Sequence, residues 1–366
     1  MKILYITSIV SGAGGVERTL ALKSDYFIEN FNYEVAIIYN EITDKIPFYS
    51  FNTKVKLHNL KLDKKSFSYI FKFKNEIQKI INRNCPDIII VSDNGLKGFL
   101  VPFLLKNNIP ILLEVHGSRT EIINRKTSIV SVLKRKLHIK IKSYAINRFA
   151  QVVFLNEKSA AEWGFNKAKI ISNSLSFESN EPSKLDSKIA IAVGRHSYEK
   201  GFDRLLPIWK EVSSQNPEWK LKIYGDFAEE TTFLKREIEK LQLRDSVELL
   251  LPVKNIENVY KEASVFLMTS RFEGFGLALL EAMASGLPCM AYDCPIGPRV
   301  IITNAENGFL IPDDNIKMYI EKLSFLIENE EVRVKFGLDA KEISKEYSLE
   351  KIMEQWKAFL ESLIGC

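Results

Sequence analysis

Two glutamates, Glu273 and Glu281, stand eight residues apart around Gly274, Phe275 and Gly276 in SRFEGFGLALLEAMASGLPCMAYDCPIGP (270–298). A helix that starts near Gly276 leaves Glu273 ahead of its N-terminus and carries Glu281 about one and a half turns in. The unpaired N–H groups of residues 275–277 point out of that helix end, with the positive end of the dipole behind them. Such an end binds phosphate. Carboxylates repel an anion but accept hydrogen bonds from hydroxyl groups. The pair therefore suits a sugar and a ribose on either side of a phosphate site. Glu281 lies in an otherwise apolar helix, LALLEAMA, and needs a hydrogen-bond partner there. A capping acid and one surface glutamate are the plain alternative, against which the apolar residues on nearly every face of the helix argue.

A second group lies in VGRHSYEKGFDRLL (193–206), where Gly194, Arg195 and Lys200 separate a strand from a helix. Open α/β sheets bind ligands at the carboxyl ends of their strands. Arg195 and Lys200 converging there can neutralise a diphosphate without a metal, or they are two solvated surface cations. A third group is SGAGGVER (11–18), which includes Gly14 and Gly15. Its glycines let backbone N–H groups approach a phosphate or a sugar, and they equally suit a structural turn. The run is out of register with GxGxxG, and no acid is read at the end of the next strand, 34–40. Both features count against a plain nicotinamide-dinucleotide enzyme. His116, one of four histidines, closes a strand and precedes Gly117.

These residues need strand ends to carry them. Apolar runs at 2–8, 34–40, 87–92, 109–117, 150–156 and 169–174 read as strands separated by helical segments. The polar stretch 176–188 reads as a linker. The pattern then restarts with strands at 188–195, 219–226, 246–251, 263–270, 288–293 and 307–312, and ends in a helix over 348–363. Runs this apolar indicate parallel sheets covered on both faces. The fold class is α/β, with two consecutive doubly wound domains, 1–178 and 186–349, and a tail from about 350 that packs back on the first. A length of 366 residues agrees with two domains, and 46% hydrophobic with 27% charged residues excludes a disordered or collagen-like chain. The four cysteines form no CxxC pair, so neither a zinc ribbon nor a disulfide framework is expected. The opening MKILYITSIV reads as a buried strand, not a signal peptide. No apolar stretch approaches 18 residues, so no membrane-spanning helix is expected.

The pattern GR-x4-KG followed by E-GFG-LALLEA-MA-GLP resembles the family 4 retaining glycosyltransferases of the GT-B fold, and DCPIGP resembles the subset that builds bacterial surface polysaccharides. The likeness covers nearly the whole chain, including the GGVE loop and the HG after the fourth strand. It implies two Rossmann-like domains facing a cleft, with a nucleotide-diphospho-sugar donor on the second and an acceptor on the first. By this resemblance Arg195 and Lys200 hold the donor diphosphate, beside Gly194. Glu273 contacts the donor sugar; Gly274, Phe275, Gly276 and Leu277 supply backbone contacts to sugar and phosphate; Glu281 grips the ribose. Val253 falls where a backbone contacts the base, Tyr224 and Gly225 line the same pocket, Gly14 and Gly15 approach the diphosphate, and His116 contacts the donor sugar near the reacting carbon. Catalytic roles thus fall to His116, Glu273, Arg195 and Lys200. Arg299 departs from the family, where an acid often stands nearby. No Asp-x-Asp pair sits at a strand end, so no metal cofactor is required. UDP is the favoured nucleotide. The donor sugar would be a hexose or N-acetylhexosamine, and the acceptor lipid-linked or glycan.

Charge is uneven along the chain. Residues 1–183 hold 27 Lys+Arg against 16 Asp+Glu, or +11; the remaining 24 and 30 give −6, and the sum is the overall +5. Residues 122–156 contain no acid and carry Arg125, Lys126, Lys134, Arg135, Lys136, Lys140, Lys142 and Arg148 among apolar residues. A basic amphipathic helix of this kind suits an anionic membrane, with KKSFSYIFKFK (64–74) as a second contact. Arg18 and Arg119 are read as further cations for acceptor or membrane. The alternative is that each helix buries its apolar face on the sheet and solvates its lysines. Nucleic acid is the rival partner for the charge, but no nucleic-acid fold motif accompanies it. The expected location is cytoplasmic and peripheral, on the inner face of the cell membrane. A non-catalytic nucleotide-sugar or polyanion binding module of the same fold is the second functional reading.

Overall fold

Short runs of β-branched and aliphatic residues, each closed by glycine or a polar turn, fold as strands, and the amphipathic stretches between them fold as helices. The computed structural model describes residues 1–66, 68–105, 108–119, 129–165, 168–179 and 181–365. In the first half, β1 (Lys2–Ile6), β2 (Glu34–Tyr39), β3 (Lys56–Asn59), β4 (Ile88–Val91), β5 (Ile111–Val115), β6 (Gln151–Phe154) and β7 (Lys169–Ile170) form a parallel sheet in the order β3-β2-β1-β4-β5-β6-β7. In the second half, β8 (Ile189–Val193), β9 (Lys220–Tyr224), β10 (Val247–Leu250), β11 (Val265–Met268), β12 (Cys289–Asp293) and β13 (Gly308–Pro312) form another, in the order β10-β9-β8-β11-β12-β13. β4 and β11 are buried along their whole length, as strands covered on both faces must be.

Each sheet has a core of its own, with Leu4, Ile38, Ile89, Val91 and Phe99 in the first and Trp209, Leu221, Ile223, Leu267 and Tyr292 in the second. Burying one such side chain contributes about 1.5–3 kcal/mol. Strand order reverses between β1 and β4 in one sheet and between β8 and β11 in the other. Those switch points are where doubly wound sheets open a crevice for ligands, and the loops after β8 and β11 carry the residues singled out above.

Three features differ from the sequence expectation. β3 is an extra edge strand, KLHN, half exposed, with no apolar run to announce it. The strand expected over 169–174 shortens to two residues. The chain passes from the first unit to the second between Ser172 and Asn173, ahead of the stretch read as a linker. That stretch is packed: the Ser183 hydroxyl lies 3.0 Å from the Lys261 carbonyl and 2.6 Å from that of Ala263. From Glu350 onward the chain belongs to the first unit, and the closing helix Leu349–Ile364 buries Met353, Trp356 and Leu360. No helix among the described residues is long and apolar enough to cross a membrane.

Candidate functional site

β8 ends at Val193, and Gly194 and Arg195 lead through a short turn (Tyr198–Lys200) into the helix Phe202–Gln215. The Lys200 stem lies across Gly194, where an added Cβ would come within 3.1 Å of it. This brings the Lys200 Nζ 2.6 Å from Glu273 Oε1, an oxygen that also accepts from the Ser270 hydroxyl at 2.8 Å. Lys200 and Glu273, 73 positions apart, are therefore one partly buried ion pair. Arg195 stays largely exposed, 3.6 Å from the Glu199 carboxylate. Burial raises the Glu199 carboxyl above its ordinary range, and the charges of Arg195 and Lys200 oppose that rise.

The turn is clamped from β11. The Arg271 guanidinium donates to both oxygens of Asp203 at 2.7 and 2.8 Å, donates to the Tyr198 carbonyl at 2.8 Å, and covers the Tyr198 ring at 3.9 Å. Bidentate pairs of this kind fix geometry as well as supplying energy. Gly201 closes the turn at φ +65, with Thr269 O where a side chain would stand. His196, fully buried against Phe227 at 5.1 Å, has its pKa pushed down to about 4, chiefly by burial. It is neutral near pH 7, and its backbone ties the β8 loop to Asp226 and Glu230.

Gly276, at φ +98, caps the helix Leu277–Ala284 without a side-chain bond, a backbone angle that favours glycine. Phe275 is buried edge-on to Tyr347. Glu281 is 2% exposed. Its Oε1 accepts from the Ser176 hydroxyl at 2.6 Å, and its Oε2 faces the Tyr260 hydroxyl at 3.3 Å. Tyr224 ends β9, Gly225 follows it with its N–H donating to the Leu250 carbonyl, and Val253 follows β10 half-buried. Arg299 pairs with Asp293 at 2.6 Å, so the departure at that position is met by a local ion pair. Burial pushes the Cys294 thiol up to about 12, which makes it unreactive.

In the first unit, Gly14 caps the helix Gly15–Glu29. The Tyr49 hydroxyl donates to Ala13 O at 3.0 Å, and Arg18 lies over the Tyr49 ring at 5.1 Å. The carboxylate of Glu41 accepts from Val10 N at 3.0 Å and from the Ser11 hydroxyl. An acid does therefore follow β2, contrary to the sequence reading, but it ties down the glycine turn. His116 follows β5, its Nε2 3.3 Å from Glu114 Oε2. Glu114 is buried and also takes the Lys23 ammonium and the Ser92 hydroxyl. Burial alone drives its carboxyl up; Lys23 and His116 overcome this and hold it at about 2. Arg119 is tied to Glu162 and Ser143 and is not an open surface cation.

The family model described as "Glycosyl transferases group 1" matches residues 176–343. A glycosyltransferase of Haemophilus influenzae, named as uncharacterized, is 30% identical over 366 residues, 98% of this chain and 99% of its own. The chain belongs to this glycosyltransferase family. The amylovoran biosynthesis glycosyltransferase AmsD of Erwinia amylovora is 29% identical over 370 residues, again 98% and 99% of the two chains. Among solved structures, S. aureus TarM in complex with Fondaparinux, alpha-GlcNAc-glycerol and UDP superposes with a TM-score of 0.81 over 98% of this chain and 99% of that one, at 17% identity. The fold of this glycosyltransferase is GT-B.

The glycosyltransferase shows one surface that sequence alone left undecided. On the helix Ile129–Ala145, Val130 (60%), Leu133 (61%), Leu137 (57%) and Tyr144 (61%) are exposed together with Lys134, Lys136 and Lys140. Arg135 is half-buried; Arg125 and Lys126 lie outside the described residues. The second basic stretch divides: Tyr69 and Phe73 are buried, while Ile70 and Phe71 face out. No group of three or more His, Cys, Asp or Glu side chains suited to a metal occurs among the described residues. Sequence reasoning passed over Ser176, Tyr260, Arg271, Glu41 and Glu114. Only Glu281's burial signalled that partners such as the first two must exist.

Proposed function

We propose that this glycosyltransferase transfers a hexose or N-acetylhexosamine from a UDP-sugar to a lipid-linked or glycan acceptor in bacterial polysaccharide assembly, with retention at the anomeric carbon. The observation that carries this reading is the cluster at the second switch point. There Lys200 pairs with Glu273, the exposed Arg195 faces Glu199 in the same turn, and the helix that Gly276 caps begins four residues after Glu273, with Glu281 further along it. Arg195, Lys200 and the N–H groups of residues 275–277 take the diphosphate. Glu281 exchanges hydroxyl donors of the protein for those of the ribose. Glu273 and His116 contact the donor sugar.

In the transfer step the bond between the anomeric carbon and the diphosphate oxygen breaks, and the acceptor oxygen bonds to that carbon on the same face. The acceptor's proton passes to the departing diphosphate. Stabilising that leaving group by fixed cations and N–H donors is the main catalytic device. The AmsD relative's naming for amylovoran biosynthesis and the UDP in the TarM complex support the reading. A hydrolysis screen over UDP- and GDP-sugars tests it: slow release of UDP from one UDP-sugar is expected, and proton NMR of the transferred sugar should show the donor's anomeric configuration. Absence of turnover with every donor, or inversion, refutes it.

The exposed apolar residues of Ile129–Ala145, standing among lysines, support docking on an anionic membrane. Wild type should float with vesicles of phosphatidylglycerol and not with phosphatidylcholine. Lys134, Arg135, Lys136 and Lys140 changed together to Glu should abolish flotation. Equal flotation with both lipids would overturn this part.

A further inference from the structure

Glu114 and Lys23 form a buried ion pair that the transfer chemistry above does not use. Both side chains are about 4% exposed. The Lys23 ammonium is enclosed by aromatic rings, 4.3 Å from the Trp356 ring centre and 5.5 Å from that of Tyr5. A buried pair of this kind is a poor device for stability alone, because well-packed apolar residues do as well or better. The division of its oxygens suggests another use. Glu114 Oε1 takes the ammonium, while Oε2 takes the Ser92 hydroxyl and faces His116 Nε2 at 3.3 Å. One charged oxygen is thereby aimed at one nitrogen of the imidazole.

We propose that Glu114 is a positioning residue, held by Lys23 and Ser92, that fixes His116 as the Nε2–H tautomer and sets the plane of its ring. An ionised carboxylate can only accept, so the nitrogen facing it must carry the proton, and in the neutral ring Nδ1 is then the acceptor. Lys23 keeps the carboxylate ionised. Ser92 follows β4, Glu114 is in β5, Lys23 is in the helix that begins at the glycine turn, and Trp356 is in the closing helix. Four elements thus converge on the orientation of one imidazole. The catalytic consequence rests on the proposed role of His116 at the donor sugar; the tautomer does not.

The test uses the full-length protein with 15N-labelled histidine at pH 9. The chain has four histidines, and His116→Ala identifies the relevant signal. Wild type should show His116 protonated at Nε2, a result that does not need the ion-pair variant to fold. Lys23→Met with Glu114→Gln removes the ion pair as a pair, and the new amide can donate as well as accept. That variant should show mixed tautomers, with kcat reduced on the order of 10- to 100-fold, the scale on which loss of an orienting partner acts, and donor KM within about twofold. An Nδ1–H tautomer in wild type, or a double variant with unchanged tautomer and kcat, overturns the proposal. If His116→Ala transfers sugar at the wild-type rate, the role of His116 at the donor fails and the predicted loss of kcat falls with it. The imidazole signals still decide whether Glu114 sets the tautomer.

Discussion

Glu281 and Glu114 are both buried carboxylates, one in each unit, and their partners differ in kind. Glu281 is met by the hydroxyls of Ser176 and Tyr260, whereas Glu114 is met by an ammonium, a hydroxyl and an imidazole. A neutral hydroxyl donor can be exchanged for a ligand's hydroxyl at little net change, because like replaces like. An ammonium cannot leave without stranding a buried charge. The first environment suits a residue that must bind and release a ribose. The second suits a residue that must never move.

Removing each carboxylate should expose this difference most strongly. Glu114→Ala strands Lys23 and should cost about 3–5 kcal/mol of unfolding free energy. Glu281→Ala removes the carboxylate partner of the Ser176 hydroxyl, while the Tyr260 hydroxyl keeps the Ala278 carbonyl, and should cost about 1–3 kcal/mol. Urea denaturation measures both, and equal losses would break the comparison.

The next effect is on the donor. Lys200→Ala should weaken UDP-sugar binding by about 1.5–3 kcal/mol, the value of one charge-assisted bond, with little change in fold stability, since its partner Glu273 keeps the Ser270 hydroxyl. Calorimetric titration with the donor checks it; unchanged affinity in a folded variant contradicts the diphosphate assignment. Glu273→Gln should slow transfer while leaving affinity for free UDP close to wild type.

A further effect is in acid. The Glu114 carboxyl lies at about 2 when folded against 4.5 for an ordinary glutamate. Its contribution to stability is therefore complete above about 4.5 and is lost as pH falls through 2. Wild-type stability in urea should fall more steeply across that window than the stability of Lys23→Met with Glu114→Gln. Parallel curves would show that the carboxylate carries no such linkage.

Much of this was legible in the chain itself because it rests on local pattern. Apolar runs gave the strands of both sheets apart from β3, and the spacing of Glu273, Gly276 and Glu281 gave a helix end with a carboxylate on each side. What stayed hidden depends on contacts distant in sequence or on polar edges. β3 is a half-exposed edge strand whose Lys and His leave no hydrophobic signal. Arg271 looks like any loop cation until the fold brings Asp203 and Tyr198 to it. Ser176 sits in a polar stretch that reads as a linker, yet its hydroxyl fills the need that Glu281's burial announces 105 positions later. Lys23 lies in an ordinary amphipathic helix, and nothing local shows that Glu114 will share its burial.

On the proposed function, the second unit holds a nucleoside diphosphate with Lys200 on the phosphates and Glu281 on the ribose. Titration calorimetry of UDP and of uridine into wild type, Lys200→Ala and Glu281→Gln separates the two contacts. Lys200→Ala should lose affinity for UDP and keep its affinity for uridine, whereas Glu281→Gln should lose affinity for both. Uridine binding that is the same in Glu281→Gln as in wild type, or UDP binding that neither substitution weakens, would contradict it.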